Sequence, residues 1–293
     1  MAQKTARATS GGLTEEQLAF YNREGYLILP HLLSAEEMAP GREAMQQKVA
    51  LIADELYADG LITEKFADAL FDTRLARLLE KLTDKEFLRY GRSWRDRLPG
   101  YYHLMCNPKI LDVVESFIGP EIFANPVYNV RPKVPKVAAG IVPWHQDKSY
   151  WPDAKASPVI TVWIPLVDAT HENGCLHVIP RTHKSRVLSY HSETYTGTGY
   201  TELDDEHVSP HRKEIVPLPL AAGGAILFND RFIHSSTANN SSHVRWSVDL
   251  RYQPVGQDPM SQYGAGFLAR SRQDPERVAT LDDWLANRPE RPA

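Results

Sequence analysis

His145 and Asp147 stand two residues apart in the stretch Trp144-His145-Gln146-Asp147-Lys148. On an extended strand, residues i and i+2 point to the same face. The imidazole and the carboxylate can therefore converge on one point, with Gln146 turned away. One further histidine would complete a set of two histidines and one carboxylate. Such a set holds a metal on one face, leaves the other positions open, and is the ligand geometry of non-haem Fe(II) oxygenases. The H-x-D spacing alone is one that chance produces often, so the rest of the chain has to supply the third ligand.

His234 is the candidate among the 11 histidines. It follows Gly223-Gly224 and the apolar run Ala225-Ile226-Leu227-Phe228, a turn and then a strand. At the end of a β-hairpin it can reach back to a strand on the facing sheet; a surface histidine after a strand is the competing reading. Arg245 lies 11 residues further on and opens Arg245-Trp246-Ser247-Val248-Asp249-Leu250-Arg251-Tyr252. Alternation puts Arg245, Ser247, Asp249 and Arg251 on one face of that strand. A buried arginine is costly unless it meets an anion, and its planar fork matches a carboxylate. Arg245 could thus hold the distal carboxylate of a dicarboxylate cosubstrate; an inter-strand salt bridge is the alternative.

The elements that must position these residues fall into two textures. Thr14-Glu15-Glu16-Gln17 and Ser34-Ala35-Glu36-Glu37 are capping boxes. The first opens a helix ending at Gly25, the second a long helix to about residue 58. Between them, Tyr26-Leu27-Ile28-Leu29 reads as a strand. Asn107-Pro108 starts another helix, stopped by Gly119-Pro120. Beyond residue 120 the apolar runs become short and β-branched, with candidate strands near 122–131, 140–146, 159–167, 175–179, 213–218, 225–229 and 244–253. Residues 185–212 lack periodicity, and a loop of that length serves as an active-site lid or a surface excursion. The result is an α+β chain with a mainly β core. Its domain plan is a flexible tail over 1–12 and a single domain over 13–275, followed by a polar C-terminal segment over 276–293. The domain is helical over 13–120, with its β core at about 121–255.

Composition excludes several classes. The 293 residues are 42% hydrophobic and 24% charged, ordinary for a globular protein. A net charge of -4 gives no reason to expect nucleic acid or an anionic membrane as partner. No run of about 18 apolar residues appears, nor a signal-peptide core. Two cysteines without C-x-x-C spacing suggest reduced thiols in a cytoplasmic protein.

The order His145-x-Asp147, His234, Arg245 resembles the phytanoyl-CoA dioxygenase family of Fe(II)- and 2-oxoglutarate-dependent oxygenases. The likeness extends to Val142–Trp151, to Thr161-Val162-Trp163-Ile164-Pro165-Leu166, and to Tyr21-x-x-x-Gly25-Tyr26. It includes Glu172–Lys184, which resembles an N-G-x-L-x-x-x-P-x-S-H segment but carries Thr182 in place of serine. The resemblance covers roughly residues 14–255. It implies a double-stranded β-helix, the jelly-roll or cupin-like fold, with flanking N-terminal helices.

The resemblance also implies roles. His145, Asp147 and His234 would ligate iron and so form the catalytic set. Arg245 would pair with the C5 carboxylate of 2-oxoglutarate, supported by Ser236. Thr161, Trp163 and Asn129 would line the cosubstrate pocket, although barrel packing explains them as well. With O2 as second cosubstrate, the reaction would release succinate and CO2 while oxidising a small molecule. Relatives that halogenate have lost the carboxylate, so Asp147 favours hydroxylation, or a related desaturation or ring closure. Lys148, Tyr150, Trp151, Tyr102, His103 and Arg231 are candidate substrate contacts. Aromatic residues suit an apolar substrate; Lys148, Arg131 and Arg231 suit an anionic one unless they are surface charges. A reading from another class is a catalytically silent jelly-roll domain that binds a metabolite. Retention of all four of His145, Asp147, His234 and Arg245 argues against it.

Overall fold

The computed structural model describes residues 12–83, 86, 89–90, 94, 96–192 and 198–286. Residues 1–11 and 287–293, most of the expected tail and the chain end, lie outside the described residues. Helix α1 (Glu15–Glu24) begins at Thr14, whose hydroxyl accepts from Gln17 N while the Gln17 side chain accepts from Thr14 N. Gly25 ends it at φ 88°, a left-handed conformation. A Cβ at Gly25 would stand 2.3 Å from His183 Nδ1, so this turn also needs a glycine for space. Strand β1 (Tyr26–Leu29) follows, and Ser34 caps α2 (Ala35–Ala58) by the same reciprocal pattern with Glu37. Helices α3 (Arg74–Leu79), α4 (Pro99–Met105) and α5 (Pro108–Ile118) complete the N-terminal layer.

The strands are β2 (Ile122–Ala124), β3 (Asn129–Lys133), β4 (Val142–His145), β5 (Ile160–Pro165) and β6 (Leu176–Val178). They continue with β7 (Tyr190–Ser192), β8 (Thr201–Leu203), β9 (Val216–Leu218), β10 (Ala225–Asn229), β11 (His234–Ser236), β12 (Arg245–Pro254) and β13 (Phe267–Arg270). The larger sheet runs β1-β10-β5-β12-β2-β13, with β3 also paired to β12; the smaller runs β4-β11-β6-β9. All pairings are antiparallel. This is the α+β jelly-roll architecture expected of the sequence.

Strand β12 is buried on both faces. Trp246, Val248, Leu250 and Tyr252 join the helices in one apolar core, where Trp246 donates to Phe71 O at 3.1 Å. Arg245, Ser247, Asp249 and Arg251 take the other face, as the alternation required. A second apolar cluster, including Trp163, Leu176, Val178, Ile226, Phe228 and Phe232, packs with the smaller sheet.

Four local differences have physical causes. The run 122–131 divides into β2 and β3, because the Asn125 carboxamide turns the chain by accepting from Val127 N at 2.8 Å. β3 reaches Lys133 despite Pro132, since among the described residues β12 is the only strand it pairs with and an edge position tolerates proline. The region 185–212 holds the hairpin β7–β8, whose residues 193–197 are outside the described set. β13 lies beyond the β core expected to end at about residue 255, whereas helix α6 (Leu281–Ala286) begins where Thr280-Leu281-Asp282-Asp283 resembles a helix start; α6 buries Trp284 against Tyr102, Tyr128 and Phe267.

Candidate metal centre and adjoining cavities

His145 ends β4, and Asp147 opens the short 3-10 turn Asp147–Tyr150. Gln146 between them keeps an extended backbone and points away, as expected. Its side chain is fully buried and donates to Ser185 Oγ (2.9 Å), Arg186 O (3.2 Å) and Arg231 O (2.6 Å), while accepting from Leu188 N (2.9 Å). This amide ties the H-x-D segment to the turn that precedes His234. The sequence had suggested that His234 reaches across from the facing sheet. Instead β11 pairs with β4 within the smaller sheet, and His234 is the cross-strand partner of His145. The two rings lie 4.1 Å apart, centre to centre.

The donors converge. Nε2 of His145 lies 3.5 Å from Asp147 Oδ1, and Nε2 of His234 lies 4.0 Å from the same oxygen. Ligand atoms of all three residues fall within 4.8 Å of one another, and all three residues are buried. Nδ1 of His145 is 2.9 Å from Pro143 O, and Nδ1 of His234 is 3.0 Å from Phe232 O. Those carbonyls call for N–H at Nδ1, which leaves a lone pair on each Nε2 facing the centre. Burial, followed by the neighbouring His145, brings the His234 pKa down to about 3, so its imidazole is neutral and able to ligate.

Asp147 is oriented from behind. Arg251 donates through Nη2 to Oδ1 and Oδ2 (2.9 Å each) and through Nε to Oδ2 (3.1 Å); Thr161 Oγ1 donates to Oδ2 at 2.8 Å. Burial alone would raise this carboxyl, but Arg251 and the two histidines hold it well below the usual range. Thr161 thus touches the carboxylate ligand. Arg251 was not picked as a site residue, although the alternation along β12 had put it on the inward face.

Beside the triad a narrow inner pocket includes Trp163, Ser236 and Arg245 in its lining. Arg245 is 2% exposed; its Nε and Nη1 have no hydrogen-bond partner, and its guanidinium lies 5.3 Å from the Trp163 ring centre. Burial, with the charge of Arg131, lowers its pKa only to about 10, so it stays charged at neutral pH. Lys133 is its register partner on β3 and is equally buried. Its Nζ donates to Ser236 Oγ (2.8 Å) and to Thr237 O. Burial, then Arg245, pushes this lysine well below its usual range. Among the described residues no carboxylate stands within salt-bridge distance of either side chain. The donor set therefore fits a bound carboxylate. Lys133 escaped the sequence reading because the predicted strand stopped at residue 131.

The remaining candidates separate. Tyr150 and Trp151 line a larger outer cavity of about 730 Å³, which shares Arg131, Val142, Arg245 and Arg251 with the inner pocket. Asn129 lines the outer cavity and donates to Asp249 Oδ2 at 2.6 Å. Lys148 is buried under the 3-10 turn, with its ammonium on the carbonyls of Ala154 and Ala156. Arg231 lines neither space, and its carbonyl receives Gln146. Tyr102 donates to Ala279 O at 2.6 Å and stacks on Phe267, and the exposed His103 packs edge-on against Tyr102; neither lines the cavities.

The family model for phytanoyl-CoA dioxygenase (PhyH) matches residues 21–247. The chain belongs to the PhyH family. Among its relatives, mouse peroxisomal phytanoyl-CoA dioxygenase is 25% identical over 245 residues, 82% of this chain and 68% of the mouse protein. L-Proline trans-4-hydroxylase of Streptomyces griseoviridis is 26% identical over 277 residues, 85% and 89% of the two chains. The crystal structure of EvdO2 from Micromonospora carbonacea var. aurantiaca, complexed with 2-oxoglutarate, shares the fold at TM-score 0.56. It is 21% identical and covers 92% of this chain and 98% of its own. PhyH proteins use Fe(II) and 2-oxoglutarate and act on small molecules. This chain is an Fe(II)/2-oxoglutarate-dependent oxygenase with His145, Asp147 and His234 as its triad. No helix among the described residues is long and apolar enough to cross a membrane.

Proposed function

We propose that the chain hydroxylates a small molecule at a carbon held in the outer cavity, with 2-oxoglutarate seated in the inner pocket. The observation that carries this reading is Arg245, a buried guanidinium that lines the narrow pocket beside the triad with no carboxylate within salt-bridge distance among the described residues, while Lys133 Nζ reaches the Ser236 hydroxyl of the same pocket. Each buried unpartnered polar atom costs on the order of 1–3 kcal/mol. A distal carboxylate on Arg245, Lys133 and the Ser236 hydroxyl would remove that cost, and Trp163 would wall the methylene chain. The opposite end of the cosubstrate would then face His145, Asp147 and His234. When bound, iron supplies the oxygen chemistry; the chain positions the ligands, keeps the His234 imidazole neutral and excludes water. Retention of Asp147 supports hydroxylation over halogenation, since a halide needs the place of the carboxylate. One relative is named for hydroxylating L-proline; the reaction type is what we carry over, not its substrate.

The test is anaerobic titration of the chain with Fe(II) and 2-oxoglutarate. A weak metal-to-ligand charge-transfer band is expected, and slow succinate release on admitting O2. Both should vanish in His145→Ala and Asp147→Ala. Retention of band and succinate in those variants would sink the site assignment.

A further inference from the structure

We infer that the substrate of the outer cavity is an anion, a small carboxylate- or phosphate-bearing molecule, and that Arg131 is its anchor. This deepens the proposed function and rests on it for the reaction, but the binding argument is independent of turnover.

The cavity is about 730 Å³, within the usual range for a small-molecule site. Its lining includes Arg89, Arg131, Lys133, Arg245 and Arg251, and no aspartate or glutamate among the described residues. Such a one-signed lining in a low-dielectric recess concentrates the opposite charge. Arg89 is paired with Asp59 at 3.4 Å, and the carboxylates that answer Arg131 and Arg251 line the inner pocket. Asp249 accepts from Arg131 Nε at 2.7 Å and lies 2.8 Å from Arg251 Nη1, while Asp147 takes the other side of Arg251. Two arginines and two aspartates would balance, but Asp147 is also the metal ligand. Once it serves a dication, Arg131 and Arg251 share one carboxylate. Arg245 and Lys133 are committed to the cosubstrate, so the surplus positive charge sits at the floor of the outer cavity.

Arg131 is the member of that group placed to use it. Its side chain is 25% exposed, whereas that of Arg251 is 3% exposed. The guanidinium reaches Tyr200 Oη at 3.3 Å and lies 5.9 Å from the centre of that ring. Tyr150 and Trp151 on the same cavity offer flat apolar walls for the body of the molecule. Lys148 and Arg231, the other basic candidates, do not line the cavity.

The experiment compares phenylacetate with phenylacetamide, a matched anion and neutral amide, as cavity probes. Each is titrated by calorimetry at low ionic strength into wild type loaded with Zn(II) and saturating 2-oxoglutarate. Phenylacetate should bind at least about tenfold tighter, and the preference should shrink as salt is raised. Arg131→Gln should abolish the preference and Arg131→Lys should keep part of it, since the charge remains. Equal affinities for the two probes in wild type overturn the inference, whatever the variants do. A preference that persists in folded Arg131→Gln overturns the assignment to Arg131. Failure of wild type to bind 2-oxoglutarate in the preceding titration would instead count against the cosubstrate reading. The probe comparison between wild type and Arg131→Gln, both loaded with Zn(II) alone, would still decide this one.

Discussion

Asp147 is a metal ligand whose geometry is set by residues that never touch the metal. Arg251 holds both of its oxygens and Thr161 one of them. Arg251→Met should therefore weaken metal affinity about 10- to 100-fold, the usual cost of losing such a partner, in a Zn(II) competition titration. Wild-type affinity in a folded Arg251→Met protein would show that the carboxylate orients itself. Lys133 gives a second residue-scale prediction. Lys133→Met should raise the dissociation constant for 2-oxoglutarate by about tenfold or more, the size of one charge-assisted hydrogen bond. Affinity for 2-oxobutyrate, which lacks the distal carboxylate, should be unchanged. The free lysine is pushed toward neutrality by burial, Arg245 and Arg131, with Cys175 opposing, and a bound carboxylate favours its charged form. Binding should then take up as much as about one proton, so affinity falls as pH rises. Calorimetry in two buffers of different ionisation enthalpy reads that proton directly; equal heats would refute it.

At the scale of elements, the parts legible in the sequence are those with local chemistry. Thr14, Ser34 and Asn107 mark helix starts because a cap satisfies its own helix, and the ends at Gly25 and Gly119 follow from glycine. The H-x-D pair and the alternation on β12 were visible for the same reason. What stayed hidden depends on pairing. That β11 lies beside β4, making His145 and His234 neighbours, is a property of the sheet and not of either segment. The candidate strand near 122–131 stops short of Lys133, whereas β3 continues to it at an edge. Gly174 shows how far such coupling reaches. At φ 81°, a Cβ there would lie 2.4 Å from Thr237 O and 2.9 Å from Lys133 Cδ. Gly174→Ala should therefore destabilise by more than about 1 kcal/mol, since alanine resists positive φ. It should also weaken 2-oxoglutarate binding by displacing the lysine stem. A melting curve and a binding titration check both; an unchanged melting temperature would contradict the strain.

For the whole molecule, stability should follow protons and metal together. His234 is lowered to about 3 in the folded chain. It contributes stability that is present above its unfolded value, near pH 6.5, and is lost as pH falls from there toward 3. Asp147, also lowered, adds a loss below about pH 4. Asp230 works in the opposite sense: burial raises it to about 6, so its contribution declines as pH rises from about 4 to 6. Metal binds only the folded arrangement, so chelation should lower the melting temperature. At a metal concentration 100 times the dissociation constant the stabilisation is about 2.7 kcal/mol. Acid should shrink that difference, because protons compete for the same nitrogens. A chelator effect that is constant from pH 8 to pH 5 would exclude the triad as the binding site.

The division of labour around β12 has a consequence for how such a chain can change over generations. Arg245, Asp249 and Arg251 come from one strand, packed on both faces and paired along both edges. A shift of one residue there would turn every one of them into the apolar core at once. The outer cavity is walled differently, by Thr198, Gly199 and Tyr200 of the β7–β8 hairpin and by Val137, Ala139 and Gly140 before β4. Those segments lie toward the surface, where insertions and exchanges are tolerated. Selection can therefore rework what the cavity admits, one connection at a time, while the oxidising apparatus is inherited intact.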